Sequence, residues 1–168
     1  MDVMQAMKER RSIRRYQDRP VEDEILTTLM ETVRLAPSGN NRQDWRFIVV
    51  KDRDQIEKLA ATAGQPFLAT APVIVAGVAL NPGRVMRCGV PAYAVDLSIA
   101  LTHLLLAAVA HGLGTCWLGW FDQDEAKRTL HVPEEYKVVA LITLGYPAEN
   151  PDFRGRKPLD EVVSYDYF

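Results

Sequence analysis

The chain has very little with which to cross-link itself or hold a metal. Cys88 and Cys116 are its only cysteines among 168 residues, too few for a disulfide framework and without a Cys-x-x-Cys spacing. The opening Met1-Asp2-Val3-Met4-Gln5 lacks the basic start and apolar run of a secretion signal, so a reducing, cytoplasmic compartment is expected. His103, His111 and His131 stand apart from any carboxylate or cysteine at ligand spacing, and no metal site is expected. No Gly-x-Gly-x-x-Gly turn follows a strand, so neither a dinucleotide Rossmann unit nor a P-loop is supported. The most apolar run, Leu97 to Ala110, is interrupted by Ser98, Thr102 and His103. It falls short of the ~20 residues that span a bilayer and reads as a buried helix. Charge of one sign is scarce too: a formal net charge of −2 gives no field that would attract DNA.

What is present fits one domain over residues 1–168. With 48% hydrophobic and 25% charged residues, a chain of this length buries roughly two thirds of its unfolded surface without staples. Asp2 caps a first helix running to about Glu9, which places Arg10 and Arg11 at its last turn. A second helix follows Pro20, with Leu26, Leu29 and Val33 at helical spacing, and Pro37 stops it. Trp45–Val50 reads as a strand, then a helix from Asp52 to Gly64, then a strand at residues 72–80 too continuously apolar to face water on either side. Asn81 to Pro91 is a loop and a plausible wall of a binding site. The helix from Ala92 to His111 is apolar almost all round, so it either meets a partner subunit or is buried entirely by the sheet and two helices. A segment from Thr115 to Phe121 that crosses back through the core, a helix capped by Asp122 and a last strand, Val138 to Leu144, complete an α+β fold with helices packed on a sheet. Residues 150–168 form a C-terminal tail whose polar start, Asn150 to Lys157, is too poor in apolar side chains to fold alone.

Two segments carry chemistry. Arg10-Arg11-Ser12-Ile13-Arg14-Arg15 sets guanidinium groups beside a hydroxyl, the donor set that grips a phosphate. Pro37-Ser38-Gly39-Asn40-Asn41-Arg42-Gln43 is rich in amides, which offer donors and acceptors to a polar ring edge. Together they suggest a phosphorylated aromatic ligand. Each also has an ordinary explanation, a solvated helix end for the arginines and a plain turn for the loop, and composition does not separate the two. His103 is expected to be a hydrogen-bonded core or interface histidine. Cys88, beside Arg87, is either a reactive thiol or an ordinary surface one.

Arg-Arg-Ser-Ile-Arg near the N-terminus and Ala-Pro-Ser-Gly-Asn-Asn-Arg-Gln-Asp-Trp-Arg-Phe at residues 36–47 resemble the nitroreductase family of FMN-dependent oxidoreductases. The resemblance continues through residues 95–100, 112–119, 144–147 and 154–159. It implies a central mixed or antiparallel sheet flanked by helices and a tight homodimer with FMN at sites built from both subunits, residues 150–168 packing on the partner. Carried over by motif, Arg10, Arg11, Ser12 and Arg14 hold the phosphate, ribityl chain and one ring edge. Pro37, Ser38, Gly39, Asn41 and Gln43 reach the flavin from the other subunit. The backbone near Leu118, Gly119 and Trp120 faces flavin N5, and Arg154 and Arg156 are further phosphate ligands. Arg14 is the expected flavin tuner, and no side-chain acid or base is required.

The implied reaction is ping-pong hydride transfer from NADH or NADPH, through flavin N5, to a nitroaromatic, quinone or similar small-molecule acceptor. Alternatives on the same fold are a flavin reductase, a reductive dehalogenase or an ene-reductase. From another class comes a basic-arm nucleic-acid-binding module, which the acidic balance disfavours. Two departures from the family pattern bear on substrate scope. Asp44 stands where proline is usual, and Trp120 where many members have glycine. The Trp120 indole either narrows the cavity over the ring or points into the core.

Overall fold

The structure, a computed structural model, describes residues 1–168. Helix α1 (Val3–Glu9) starts where Asp2 Oδ1 accepts the Gln5 N–H at 2.8 Å, and the Arg10 N–H closes it on Ala6 O. Helix α2 (Asp23–Arg34) begins with two acids, Asp23 and Glu24, that favour the positive end of its dipole, and buries Leu26, Leu29 and Val33. Helix α3 (Arg53–Ala63) is capped by Asp52 and ends on Gly64 in the left-handed region, φ 59°. Helix α4 (Ala92–Ala110) runs between Pro91 and His111. Helix α5 (Gln123–Leu130) is capped by Asp122 and ends on a left-handed His131.

Strands β1 (Trp45–Val50), β2 (Val73–Ala79), β3 (Gly114–Leu118) and β4 (Lys137–Gly145) form one sheet in the order β1-β2-β4-β3, every neighbouring pair antiparallel. The continuous burial of β2 follows from helices on both faces. Val73 and Val75 point into a core shared with α2 and α4, whereas Ile74, Ala76 and Val78 point into a second core shared with α3 and α5. Helix α4 lies close on the sheet at Gly77, where a Cβ would stand 3.0 Å from Leu101 Cδ1.

Helix α1 ends at Glu9 as expected, with Arg10 as its C-cap, and the rest of the arginine run then continues extended beside the sheet. Ser12 bridges Thr115 in parallel, and the Ile13 N–H donates to Thr115 O at 2.9 Å. The Gln17 N–H donates to Tyr146 O at 2.9 Å and the Ala148 N–H to Arg15 O at 2.9 Å, so residues 12–17 are sewn to β3 and to the turn after β4. Of the two readings of α4, complete burial by the chain's own elements does not hold. The helix is long and apolar enough, by length and composition, to cross a bilayer, yet less than half of it is buried within the chain. One side packs on α1, α2, β2, β3 and β4. Ile99, Thr102, Leu106 and Ala110 on the other side line an open, largely apolar groove of about 830 Å³ with Met1, Val3 and Leu35.

Candidate functional site

The extended run after α1 and the tail after β4 meet in a basic cleft. Arg10, Arg11, Ser12 and Arg14 from the first segment face Arg154 and Arg156 from the second, with Pro151, Asp152 and Phe153 completing the walls around about 170 Å³. Phe153 organises the cations: the Arg11 guanidinium lies 4.9 Å from the ring centroid and that of Arg156 5.2 Å from it. Arg11 Nη1 also donates to Lys8 O at 2.7 Å, tying that side chain to the end of α1. None of Arg10, Arg11, Arg14, Arg154 and Arg156 forms an ion pair with a carboxylate, although Arg15, Arg19, Arg34, Arg53 and Arg84 all do.

Buried packing fixes the floor of this cleft. The N–H of Arg14 donates to Glu149 Oε1 at 2.6 Å. Tyr16 directs its hydroxyl to Ile13 O at 2.8 Å and lies 2.7 Å from Thr143 Oγ1, and burial pushes its phenol well above the ordinary tyrosine range. Gly114 is required where Ile13 crosses β3, because a Cβ there would stand 2.5 Å from Ile13 Cγ1. Beneath the arginines, burial pushes the Cys116 thiol up, against the pull of Arg14, of a hydrogen bond from Ser12 and of Arg10. Cys116 is buried and its thiol gives up its proton less readily than a free one.

The amide-rich loop is a separate structure. None of Pro37, Ser38, Gly39, Asn41 and Gln43 lines the basic cleft. The loop makes a short 3-10 turn over Gly39–Asn41, with Asn40, Asn41 and Gln43 all at φ between 52° and 56°. Non-glycine residues adopt this region at a cost, Asn most readily. Local bonds help to hold it: the Gln43 N–H donates to Ser38 Oγ at 3.0 Å, and Gln43 Nε2 to Asn41 Oδ1 at 3.1 Å. Asn41 and Gln43 are exposed, so the amides are presented outward.

The third segment follows β3. Leu118 is buried, Gly119 is exposed, and Trp120 is 81% exposed, so the indole does not enter the core. His103 behaves as expected, half-buried on α4 with Nδ1 3.2 Å from Thr32 O. Cys88 is exposed and free. Residues 84–92 fold into a small hairpin, with the Ala92 N–H donating to Arg84 O and the Met86 N–H to Val90 O, both at 2.9 Å.

Sequence reasoning missed three supports. Glu149 anchors the backbone of Arg14. Asp96 on α4 accepts the Gly39 N–H at 3.0 Å through Oδ1, and Arg84 Nη2 donates to its Oδ2 at 2.7 Å. A buried acid one turn into an otherwise apolar helix was the available signal for Asp96. Nothing local marks Glu149 or Arg84, whose roles depend on distant strands and loops.

The donor chemistry fits FMN. Five unpaired guanidinium groups with a hydroxyl suit a dianionic phosphate, and exposed amides in a fixed loop suit a ring edge bearing both donors and acceptors. The cleft itself lies below the about 300–1,000 Å³ of pockets that enclose a whole small ligand. It accommodates the phosphate end alone.

Comparison with known proteins shows the family and the fold. The nitroreductase family model matches residues 7–72 and 60–146. A protein of Archaeoglobus fulgidus is 37% identical over 150 residues, covering 86% of this chain and 84% of its own length. The FMN reductase [NAD(P)H] of Bacillus subtilis is 31% identical over 179 residues, covering 96% of this chain and 72% of its own. The solved structure of an FMN-dependent nitroreductase from Clostridium difficile superposes with a TM-score of 0.84 at 29% identity, over 98% of this chain and 99% of that one. With the antiparallel sheet, the flanking helices and the arginine and amide segments in place, the chain belongs to the nitroreductase family and is an oxidoreductase.

Proposed function

We propose that two copies of this chain bind FMN in their shared interface and pass reducing equivalents from NADH or NADPH to a small-molecule acceptor, a nitroaromatic or quinone, by alternating occupancy of one site. The observation that carries this reading is the set of five guanidinium groups without a carboxylate partner. Cations of one sign repel where they converge, and an anion bound among them offsets that repulsion.

FMN, when bound, supplies the hydride chemistry. Arg10 and Arg11, with Ser12, Arg154 and Arg156, bind its phosphate through charge-assisted hydrogen bonds. Arg14, anchored through its backbone by Glu149, places positive charge beside the ring edge where negative charge accumulates on reduction. Pro37, Ser38, Gly39, Asn41 and Gln43 of the second copy orient the ring. The exposed backbone after Leu118, at Gly119 and Trp120, would supply an N–H to the bound flavin. The exposed indole of Trp120 would restrict acceptor shape if it lies over the ring.

Two features support the dimer. The open groove along α4 offers apolar area that one chain leaves in water. The tail at residues 150–168 exposes Phe153, Leu159, Val162, Tyr165, Tyr167 and Phe168, side chains suited to packing on the partner. The name of the Bacillus subtilis relative also favours a second reading, in which free flavin is the acceptor.

The test begins with the absorbance spectrum and native mass of the purified protein, then identification of the molecule released on heating, then anaerobic addition of NADH and NADPH. A yellow dimer releasing FMN and bleached by either nucleotide is expected. A colourless monomer that takes up no added FMN overturns the proposal. Steady-state rates with nitroaromatics, quinones and free flavin rank the acceptors.

A further inference from the structure

We propose that Arg84 is a positioning residue for the flavin-facing loop. Bridging Asp96 and Asp44, it holds Gly39–Gln43 in its left-handed shape and couples that shape to the hairpin at residues 84–92. The inference rests on the FMN reading above.

The Arg84 side chain is 20% exposed and reaches two carboxylates. Its Nη2 lies 2.7 Å from Asp96 Oδ2 and its Nε 3.5 Å from Asp44 Oδ2, with Asp96 8% and Asp44 29% exposed at the side chain. Asp96 uses its other oxygen on the Gly39 N–H at 3.0 Å. Asp44 Oδ2 is buried and makes no hydrogen bond, so the guanidinium is its only compensation. The two carboxylates bracket the strained segment. Asp96 holds its first residue, and Asp44 follows its last and accepts the Leu80 N–H on its carbonyl at 3.0 Å.

Removing Arg84 would leave two acids close together with no cation between them. Such acids separate or take up water, and either response releases the loop. Three positive φ angles in four residues persist only where surroundings over-determine them. Gly39 takes part sterically as well: a Cβ there would stand 3.3 Å from Arg84 Nη1, so the guanidinium lies directly against the loop backbone. The same residue closes the hairpin, because Arg84 O accepts the Ala92 N–H at 2.9 Å. The Arg84 side chain thus braces the loop while its backbone carbonyl closes the hairpin, so this one residue links the two.

The test uses flavin-free full-length protein, with Arg84→Met, Arg84→Lys and Asp96→Asn variants. FMN and riboflavin are titrated by quenching of flavin fluorescence, and hydrogen exchange is measured at the Gly39, Met86 and Gly89 amides without flavin. In Arg84→Met both ligands should weaken by about tenfold, equivalent to about 1.4 kcal/mol, with their affinity ratio unchanged because the phosphate cleft is untouched. Exchange at Gly39 and at Met86 should accelerate together, and Arg84→Lys should recover part of both effects.

Wild-type affinity in Arg84→Met, unchanged Gly39 exchange, or selective loss of FMN over riboflavin would each overturn the inference. If Arg84→Met does not fold, Arg84→Lys and Asp96→Asn carry the same comparison. If the wild type binds neither flavin, the FMN reading fails, whereas linked exchange at Gly39 and Met86 still tests the brace by itself.

Discussion

Glu149 accepts the backbone N–H of Arg14 at 2.6 Å across 135 positions of sequence. This bond, with the Arg15–Ala148 pairing beside it, places the arginine run on the sheet edge. Glu149→Ala should weaken FMN binding by up to about tenfold, consistent with the ~0.5–1.5 kcal/mol of an ordinary hydrogen bond. Glu149→Gln keeps an acceptor oxygen and should retain most of the affinity. Fluorescence titration of both variants checks this, and equal losses would show that the carboxylate charge matters rather than the bond.

Arg10 and Arg14 should separate by phenotype. Arg10→Ala removes a phosphate ligand worth about 1.5–3 kcal/mol and should chiefly lose FMN while leaving riboflavin affinity intact. Arg14→Ala should retain some FMN and lose the rate of reduction by NADH or NADPH, read by stopped-flow absorbance. If both variants bind and react as wild type, these roles are misassigned.

Gly114→Ala places a methyl group 2.5 Å from Ile13 Cγ1. The crowding should cost about 1–3 kcal/mol of stability and displace the arginine run. Thermal unfolding and FMN titration should report a lower midpoint together with weaker binding. Gly83→Ala, where no heavy atom lies within 4 Å of the added Cβ, serves as the control.

Leu106→Glu puts a carboxylate into the open groove along α4. If that groove is the dimer face, the variant should be monomeric by light scattering and should retain little FMN, since each site would lose the amides of its second copy. A dimer of normal mass with full FMN content would place the interface elsewhere.

Glu22 gives the chain an acid-sensitive contact. Hydrogen bonds from the Tyr146 hydroxyl at 2.6 Å and from Arg19 at 2.8 Å hold its carboxyl down to about 2. A carboxyl depressed in the folded state stabilises it above the unfolded value of 4.5, and that contribution fades as pH falls towards 2. Glu22→Gln should therefore flatten the acid limb of the stability profile between pH 4.5 and 2, measured by chemical denaturation across that range.

Much of the fold was legible because its signals are local. Asp2, Asp52 and Asp122 each cap the helix that follows, Gly64 ends α3, and the unbroken apolar run of β2 required cover on both faces. Arg10 and Arg11 were legible as the end of α1, whereas the path of the chain after them was not. What extends the chain there is its pairing with Thr115, Tyr146 and Ala148, more than a hundred residues away. What covers α4 stayed open between a partner and the chain itself, since composition reports how apolar a helix is and not how many neighbours one chain can supply.

The sequence by itself determined the donor chemistry, guanidinium and hydroxyl groups at residues 10–14 and amides at 37–43, because side-chain type is independent of conformation. Tertiary structure alone decided that Glu149 anchors the run and that Arg84 reaches the amide loop through Asp96. Those contacts join residues that no local pattern pairs, and only packing against a shared sheet and helix brings them within hydrogen-bonding distance.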